Sequence, residues 1–276
     1  MTVNSIPSGS YGVWQQCQVE SVIDEVVEQV TRVGYAVVDG GYSLSELKDI
    51  SDEFNRIRKR YISMYGEQLL RDINEYHTIR SPLTHNGGVG VFIGLALNEN
   101  LLLVLRRLIS GKFVLNQQNG VINPPLETYN QGAWHRDLPY QHFVSTKPLA
   151  INALFCVDDF TFENGATFVL PASHLSEPFP SLSYIQRNAI QVEAKAGSFI
   201  VLDCMLFHSG GFNKTNYERR AVNHLYNIPF FKQQISIPNN INDNTLSQEA
   251  KEILGYDYME ASSVGQYFAM RKNKYY

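Results

Sequence analysis

The sequence predicts an antiparallel β core, a sandwich or a barrel, with helices packed against its outside. Two observations predict it. Beyond residue 112, short β-rich runs recur at 113–116, 149–157, 167–170, 189–193, 198–203 and 220–228. Turn-forming clusters separate them: Asn119-Gly120, Asn123-Pro124-Pro125, Glu163-Asn164-Gly165, Ala196-Gly197 and Ser209-Gly210-Gly211. Before residue 112 the apolar residues instead recur at helical spacing. No linker or internal repeat divides the chain, so it reads as one domain. About 1–112 form helical support with an opening strand, about 113–230 the β core, and about 231–276 a C-terminal extension with a helix.

Val19, Val22, Ile23, Val26, Val27, Val30 and Val33 draw one apolar stripe on a helix over about 18–33, which Gly34 ends. Residues 35–38 then read as a short strand. Ser43-Leu44-Ser45-Glu46 is a capping-box pattern, and Leu47, Ile50, Phe54, Ile57 and Tyr61 continue along one face of a second helix. A third helix is expected over 98–110, with Gly111 as its stop. Thr245-Leu246-Ser247-Gln248 reads as a cap opening a last helix to about Leu254.

Composition excludes several classes. Of 276 residues, 44% are hydrophobic and 18% charged, which is ordinary for a packed chain and not for a disordered one. The net charge of −4 supplies no nucleic-acid footprint and no polybasic membrane patch. Cys17, Cys156 and Cys204 are too few and too scattered for a disulfide framework or a structural zinc site. The first residues show no signal pattern and the apolar runs are far short of a membrane span, so a cytoplasmic location is expected. The expected partner is a small molecule, with no nucleic acid and no membrane; oligomeric state stays open.

The chemistry is carried by Trp134-His135-Arg136-Asp137. Alternate residues of a strand share a face, so His135 and Asp137 can point the same way. An imidazole and a carboxylate together are two thirds of a 2-His-1-carboxylate site. Such a site leaves three positions free on a non-haem iron for a bidentate cosubstrate and dioxygen. The third ligand has to come from His77, His85, His142, His174, His208 or His224. His208 stands out because it ends the apolar run 201–207 and enters a glycine turn. Arg219-Arg220 opens the next strand, and a guanidinium there can bind the distal carboxylate of a keto-diacid through two parallel hydrogen bonds.

The ordered set of motifs resembles the phytanoyl-CoA dioxygenase family of iron(II)- and 2-oxoglutarate-dependent oxygenases. His135-Arg136-Asp137 is similar to its proximal H-x-D. The block from Glu163-Asn164-Gly165 to Pro171-Ala172-Ser173-His174 is similar to its N-G-x-x-x-x-x-P-G-S-H block, with Ala172 where a glycine is usual. The stretch from His208-Ser209-Gly210 through Asn213 and Thr215 to Arg219 is similar to its distal block. Gly34 to Gly40, followed by Leu44 to Leu47, also resembles the family's first strand and helix.

This resemblance implies a double-stranded β-helix, a cupin-like jelly roll, with helices supporting one sheet. It places iron(II) on His135, Asp137 and His208 and the 2-oxoglutarate carboxylate on Arg219, with dioxygen as second cosubstrate. Neighbours on a strand face opposite ways, so only one of Arg219 and Arg220 enters the pocket. By the same alternation Asn152, Leu154 and Cys156 share a face, and Asn152 is a candidate contact to 2-oxoglutarate. Asn123 falls where an inward polar residue is common. Arg80, Trp134, Tyr140 and Phe207 are candidates for the substrate pocket, with His142, Phe230 and Phe231 as further aromatics. His174 is expected to be structural, and His224 lies on the face away from Arg219. A carboxylate at 137, where a halogenase of the family has a small residue, favours hydroxylation. The alternatives are a non-catalytic jelly-roll binding protein and a cupin-like isomerase or hydrolase.

Overall fold

A computed structural model of the chain describes residues 6, 7, 9–88, 90–138, 142–242 and 246–275. The helices are α1 (Val22–Val33), α2 (Leu44–Tyr65), α3 (Glu67–Asp72), α4 (Val91–Ala96), α5 (Glu99–Leu108), α6 (Leu182–Asn188), α7 (Gln248–Leu254) and α8 (Val264–Tyr275). The strands are β1 (Tyr35–Asp39), β2 (Thr78–Arg80), β3 (Val114–Asn123), β4 (Ala150–Cys156), β5 (Thr167–Val169), β6 (Ile190–Val192), β7 (Ser198–Asp203), β8 (His208–Ser209) and β9 (Arg219–Asn227). Among the described residues no helix is long and apolar enough to cross a membrane.

Two antiparallel sheets form the jelly roll. The larger runs β1-β7-β4-β9-β3-β2 and the smaller β6-β5-β8. The β core therefore reaches back to Tyr35, because β1 pairs with β7 and β2 with β3. The sheets do not close into a barrel.

Period-two alternation assigns the faces of the large sheet. Ile151, Ala153 and Phe155 of β4, Phe199 and Val201 of β7, and Val222 and Tyr226 of β9 pack against the helices together with Phe54, Ile57, Leu101 and Leu105. Their neighbours Asn152, Leu154, Leu202, Arg219, Ala221 and Asn223 face the opposite way, toward the small sheet. Both faces are covered, which is why these strands read as nearly continuous apolar runs and not as alternating ones.

The helix signals act as expected, with shifted ends. The Ser21 side chain caps α1 by accepting from the Asp24 N–H, so the helix begins at Val22 and not at Gln18. Gly34 closes it in the left-handed conformation, φ 87°. The Ser43–Glu46 capping box of α2 forms in both directions, an arrangement worth about 1 kcal/mol. Asn98 is the N-cap of α5, which ends at Leu108 with Ile109 as its C-cap, two residues short of the expected Ser110, so Gly111 is not its stop. Ser247 caps α7; Thr245 lies outside the described residues.

One expectation is overturned. Asn119-Gly120 is no turn but the middle of β3, which runs on from the 113–116 segment to Asn123. Gly120 is there for close approach. A Cβ on it would come within 3.1 Å of Ile79 Cδ1 and of Phe54 on α2, so the glycine lets helix and sheet pack together.

Candidate metal centre

The two histidines are brought together by their own backbones. His135 donates its N–H to the His208 carbonyl at 3.0 Å, and His208 donates to the His135 carbonyl at 3.1 Å. Residues directly opposite in an antiparallel pair present their side chains on the same face. Asp137, two residues further on, returns to that face, and its N–H donates to the Cys204 carbonyl at 3.1 Å. One ligand atom from each of His135, Asp137 and His208 then falls within 4.8 Å of the others.

Second hydrogen bonds orient the rings. His135 Nδ1 donates to the Ala133 carbonyl at 2.7 Å and His208 Nδ1 to the Leu206 carbonyl at 3.0 Å. A carbonyl can only accept, so the proton of a neutral ring sits on Nδ1 and the Nε2 lone pair points away from it. Both Nε2 atoms face the same carboxylate oxygen, Asp137 Oδ1, at 3.9 Å from His135 and 3.6 Å from His208. Burial pushes the His208 pKa down; Asp137 opposes this and His135 adds to it. Two nitrogen donors and one oxygen donor on a shared side match the facial iron(II) geometry. Among the described residues no other group of three or more metal-ligating side chains comes together.

Asn152 supports the carboxylate. Its Nδ2 donates to Asp137 Oδ2 at 2.6 Å. One oxygen of Asp137 is therefore tied to the sheet while the other faces the imidazoles.

The other end of the pocket is a buried cation. Arg219 is 3% exposed and has no carboxylate partner among the described residues. Its guanidinium stacks 3.9 Å from the Phe160 ring and donates from Nη2 to the Tyr129 hydroxyl at 3.3 Å, while Nε and Nη1 have no partner among the described residues. Burial draws its pKa below the ordinary value, opposed by Tyr129, but an arginine remains charged over any working pH. A buried cation with two unused donors costs several kcal/mol unless an anion meets it, and a dicarboxylate supplies that anion. The residues present therefore fit both iron(II) and 2-oxoglutarate. The pocket between these ends is lined by His135, Asn152, Leu154, Thr167, His208 and Arg219 among others. His135 is the more exposed of the two histidines, at 26% of the side chain against 7% for His208, so the opening lies on the His135 side.

Arg220 turns outward, as strand alternation requires, and binds Asp158, Ser51 and Asn55. His174 reaches the Thr31 carbonyl at the end of α1. His224 lies on the helix-facing side, between Gln118 and the Ala153 carbonyl.

Other expected residues are placed elsewhere. Asn123 has its amide nitrogen engaged with the Gly211 and Gly165 carbonyls, at 2.9 and 3.3 Å, so it braces two loops and offers no donor to a carboxylate. Asn152 points into the pocket, where one hydrogen bond of its amide nitrogen goes to Asp137 Oδ2. Arg80 is held in a bidentate ion pair by Glu75 and also reaches Gln234. Phe207 is core, packed with Leu170 and Ile185 under the Arg136 guanidinium. Trp134 packs against that same cluster and against Phe179. Phe230 and Phe231 line a separate surface pocket. Tyr140 lies outside the described residues.

Asn223 and Tyr129 are among the pocket residues that escaped the sequence reading. Asn223 shares a face with Arg219 and Ala221, and strand alternation applied once more would have found it. Tyr129 lies in an irregular loop after Pro124-Pro125, where no periodicity exists to place it.

Comparison with known proteins agrees with this geometry. Residues 30–221 match the family model described as phytanoyl-CoA dioxygenase. An uncharacterised protein of Mycobacterium tuberculosis is 29% identical over 254 residues, covering 89% of this chain and 91% of its own length. The dioxygenase hkm4 of Aspergillus hancockii is 28% identical over 233 residues, covering 79% of this chain and 75% of its own. Among solved structures, EctD from S. alaskensis with 2-oxoglutarate and 5-hydroxyectoine superposes with a TM-score of 0.61. It is 19% identical and covers 78% of each chain, a likeness of fold.

Proposed function

The chain belongs to the phytanoyl-CoA dioxygenase family, and from that premise we propose that it hydroxylates an unactivated C–H bond of a small-molecule metabolite or biosynthetic intermediate. It is an oxygenase that uses iron(II), 2-oxoglutarate and dioxygen. The observation that carries the reading is the pairing, in one pocket, of the His135–Asp137–His208 cluster with an unsatisfied buried Arg219.

The roles follow from position. His135 Nε2, His208 Nε2 and Asp137 Oδ1 would hold iron(II). Arg219 would hold the distal carboxylate of 2-oxoglutarate, so that its 2-oxo acid end meets the metal. With the cosubstrates bound, the site supplies oxidative decarboxylation of 2-oxoglutarate to succinate and carbon dioxide, coupled to removal of a substrate hydrogen and return of hydroxyl. With iron(II) bound, the Asp137 carboxylate would take the place that a halide needs, which favours hydroxylation over halogenation. Burial of Arg219 would keep water from a bound dicarboxylate and strengthen their ion pair, while the more open His135 side would admit the substrate.

Incubation with iron(II), 2-oxoglutarate, oxygen and a panel of small metabolites tests this proposal. The expected result is succinate formation, stimulated by one compound class whose product gains one oxygen atom. Absence of succinate across the panel from iron-loaded, folded protein would favour the non-catalytic binding reading. A halogenated product in the presence of chloride would contradict the role given to Asp137.

A further inference from the structure

Gly210 is a glycine whose backbone does not need to be one. Its φ is not among the positive values of the chain, so any L-residue could adopt its conformation. What forbids a side chain is Tyr129. A Cβ built on Gly210 would lie 2.0 Å from the Tyr129 hydroxyl and 2.8 Å from Cζ. The neighbouring backbone fixes this approach, since the Gly210 N–H donates to the Gln131 carbonyl at 2.7 Å. The absent side chain makes room for one hydroxyl.

Among the described residues that hydroxyl has one partner: it accepts from Arg219 Nη2 at 3.3 Å, and none of them accepts its proton. Arg219 likewise keeps Nε and Nη1 unused. Three donor atoms are thus left over at the closed end of the pocket, on two adjacent side chains, with no anion among the described residues to receive them. Burial raises the Tyr129 pKa against the opposing influence of Arg219, so the hydroxyl keeps its proton.

We propose that Tyr129 is a second binding residue for the distal carboxylate of 2-oxoglutarate, its hydroxyl donating beside the Arg219 fork, and that Gly210 is small in order to admit it. This assignment rests on the oxygenase reading above. It makes the loop that carries Tyr129 part of the cosubstrate site and gives the pocket selectivity for a dicarboxylate over a simple 2-oxo acid.

The test is anaerobic titration of iron(II)-loaded protein with 2-oxoglutarate and, separately, with pyruvate, which has the 2-oxo acid end but no distal carboxylate. Tyr129→Phe should weaken 2-oxoglutarate by roughly 10- to 100-fold, the range for one hydrogen bond to a charged group. Pyruvate affinity, iron stoichiometry and Tm should stay as in the wild type, and in turnover the change should appear in the KM for 2-oxoglutarate more than in kcat. Gly210→Ala, which displaces the hydroxyl without removing it, should show the same selective loss. Equal 2-oxoglutarate affinity in wild type and Tyr129→Phe overturns the role of Tyr129 alone, as does an equal loss for both acids. A wild-type protein that binds iron(II) but no 2-oxoglutarate overturns the oxygenase reading as well.

Discussion

Asn152 donates from Nδ2 to Asp137 Oδ2 at 2.6 Å, while the other oxygen of that carboxylate faces both imidazoles. The amide thus decides which oxygen is presented to a metal and holds it there. Asn152 sits on β4, the centre of a covered sheet, so the restraint is rigid. Replacing Asn152 with Ala should leave the fold intact and weaken metal affinity by about 10- to 100-fold, the usual cost of losing a partner of a ligand. Titration with iron(II) or nickel(II) checks this; unchanged affinity would show that Asp137 orients itself.

The neighbours Arg219 and Arg220 should separate function from stability. Arg219→Ala should raise the 2-oxoglutarate requirement by about two orders of magnitude or more, because a buried anion loses its cation. Arg220→Ala should leave that requirement unchanged. It should instead cost about 1–3 kcal/mol in unfolding free energy by stripping Asp158 and α2 of their guanidinium partner. Steady-state kinetics and denaturant unfolding read the two arms, and a reversed pattern would put the strand register wrong by one residue.

Ala172 occupies a left-handed position, φ 61°, ψ 5°, where the family block usually has glycine. That conformation costs an L-residue about 1–2 kcal/mol, partly offset by the smaller unfolded-state entropy of alanine. Ala172→Gly should therefore stabilise the protein by about 0.5–1 kcal/mol with turnover unchanged. A loss of stability would mean that the alanine methyl makes contacts worth more than the strain.

His224 is a proton-linked core residue. Its Nδ1 donates to the Ala153 carbonyl and its Nε2 accepts from Gln118, an arrangement that suits only the neutral ring. Burial pushes its pKa down to about 4, whereas the unfolded chain protonates near the ordinary value of about 6.5. Between these values the unfolded state binds more protons, so stability falls as pH drops through that window, by on the order of 3 kcal/mol in all. His224→Gln should flatten this part of the stability–pH curve. An unchanged slope between pH 6.5 and 4 would assign the acid sensitivity elsewhere.

Much of this architecture was legible because it is written in local patterns. The capping box at Ser43, the cap at Asn98 and the stop at Gly34 mark helix ends by hydrogen bonding within a few residues. Strand alternation separated Arg219 from Arg220 and put Asn152 on the inner face. Illegible features depend on contacts between distant segments. Gly120 looks like a turn residue until Phe54 and Ile79 are seen against it. Tyr129 acquires meaning only beside Gly210 and Arg219. Phe207 and Trp134 flank His208 and His135 in sequence, yet both pack into the cluster under Arg136.

The central claim is that His135, Asp137 and His208 bind one iron(II) whose dicarboxylate cosubstrate ends on Arg219. An anaerobic crystal structure with iron(II) and 2-oxoglutarate tests it most directly. The account predicts one metal bonded to His135 Nε2, His208 Nε2 and Asp137 Oδ1, chelated by the 2-oxo acid, with the distal carboxylate on the Arg219 guanidinium. A metal bound elsewhere, or a dicarboxylate that leaves Arg219 without an anion, would contradict it.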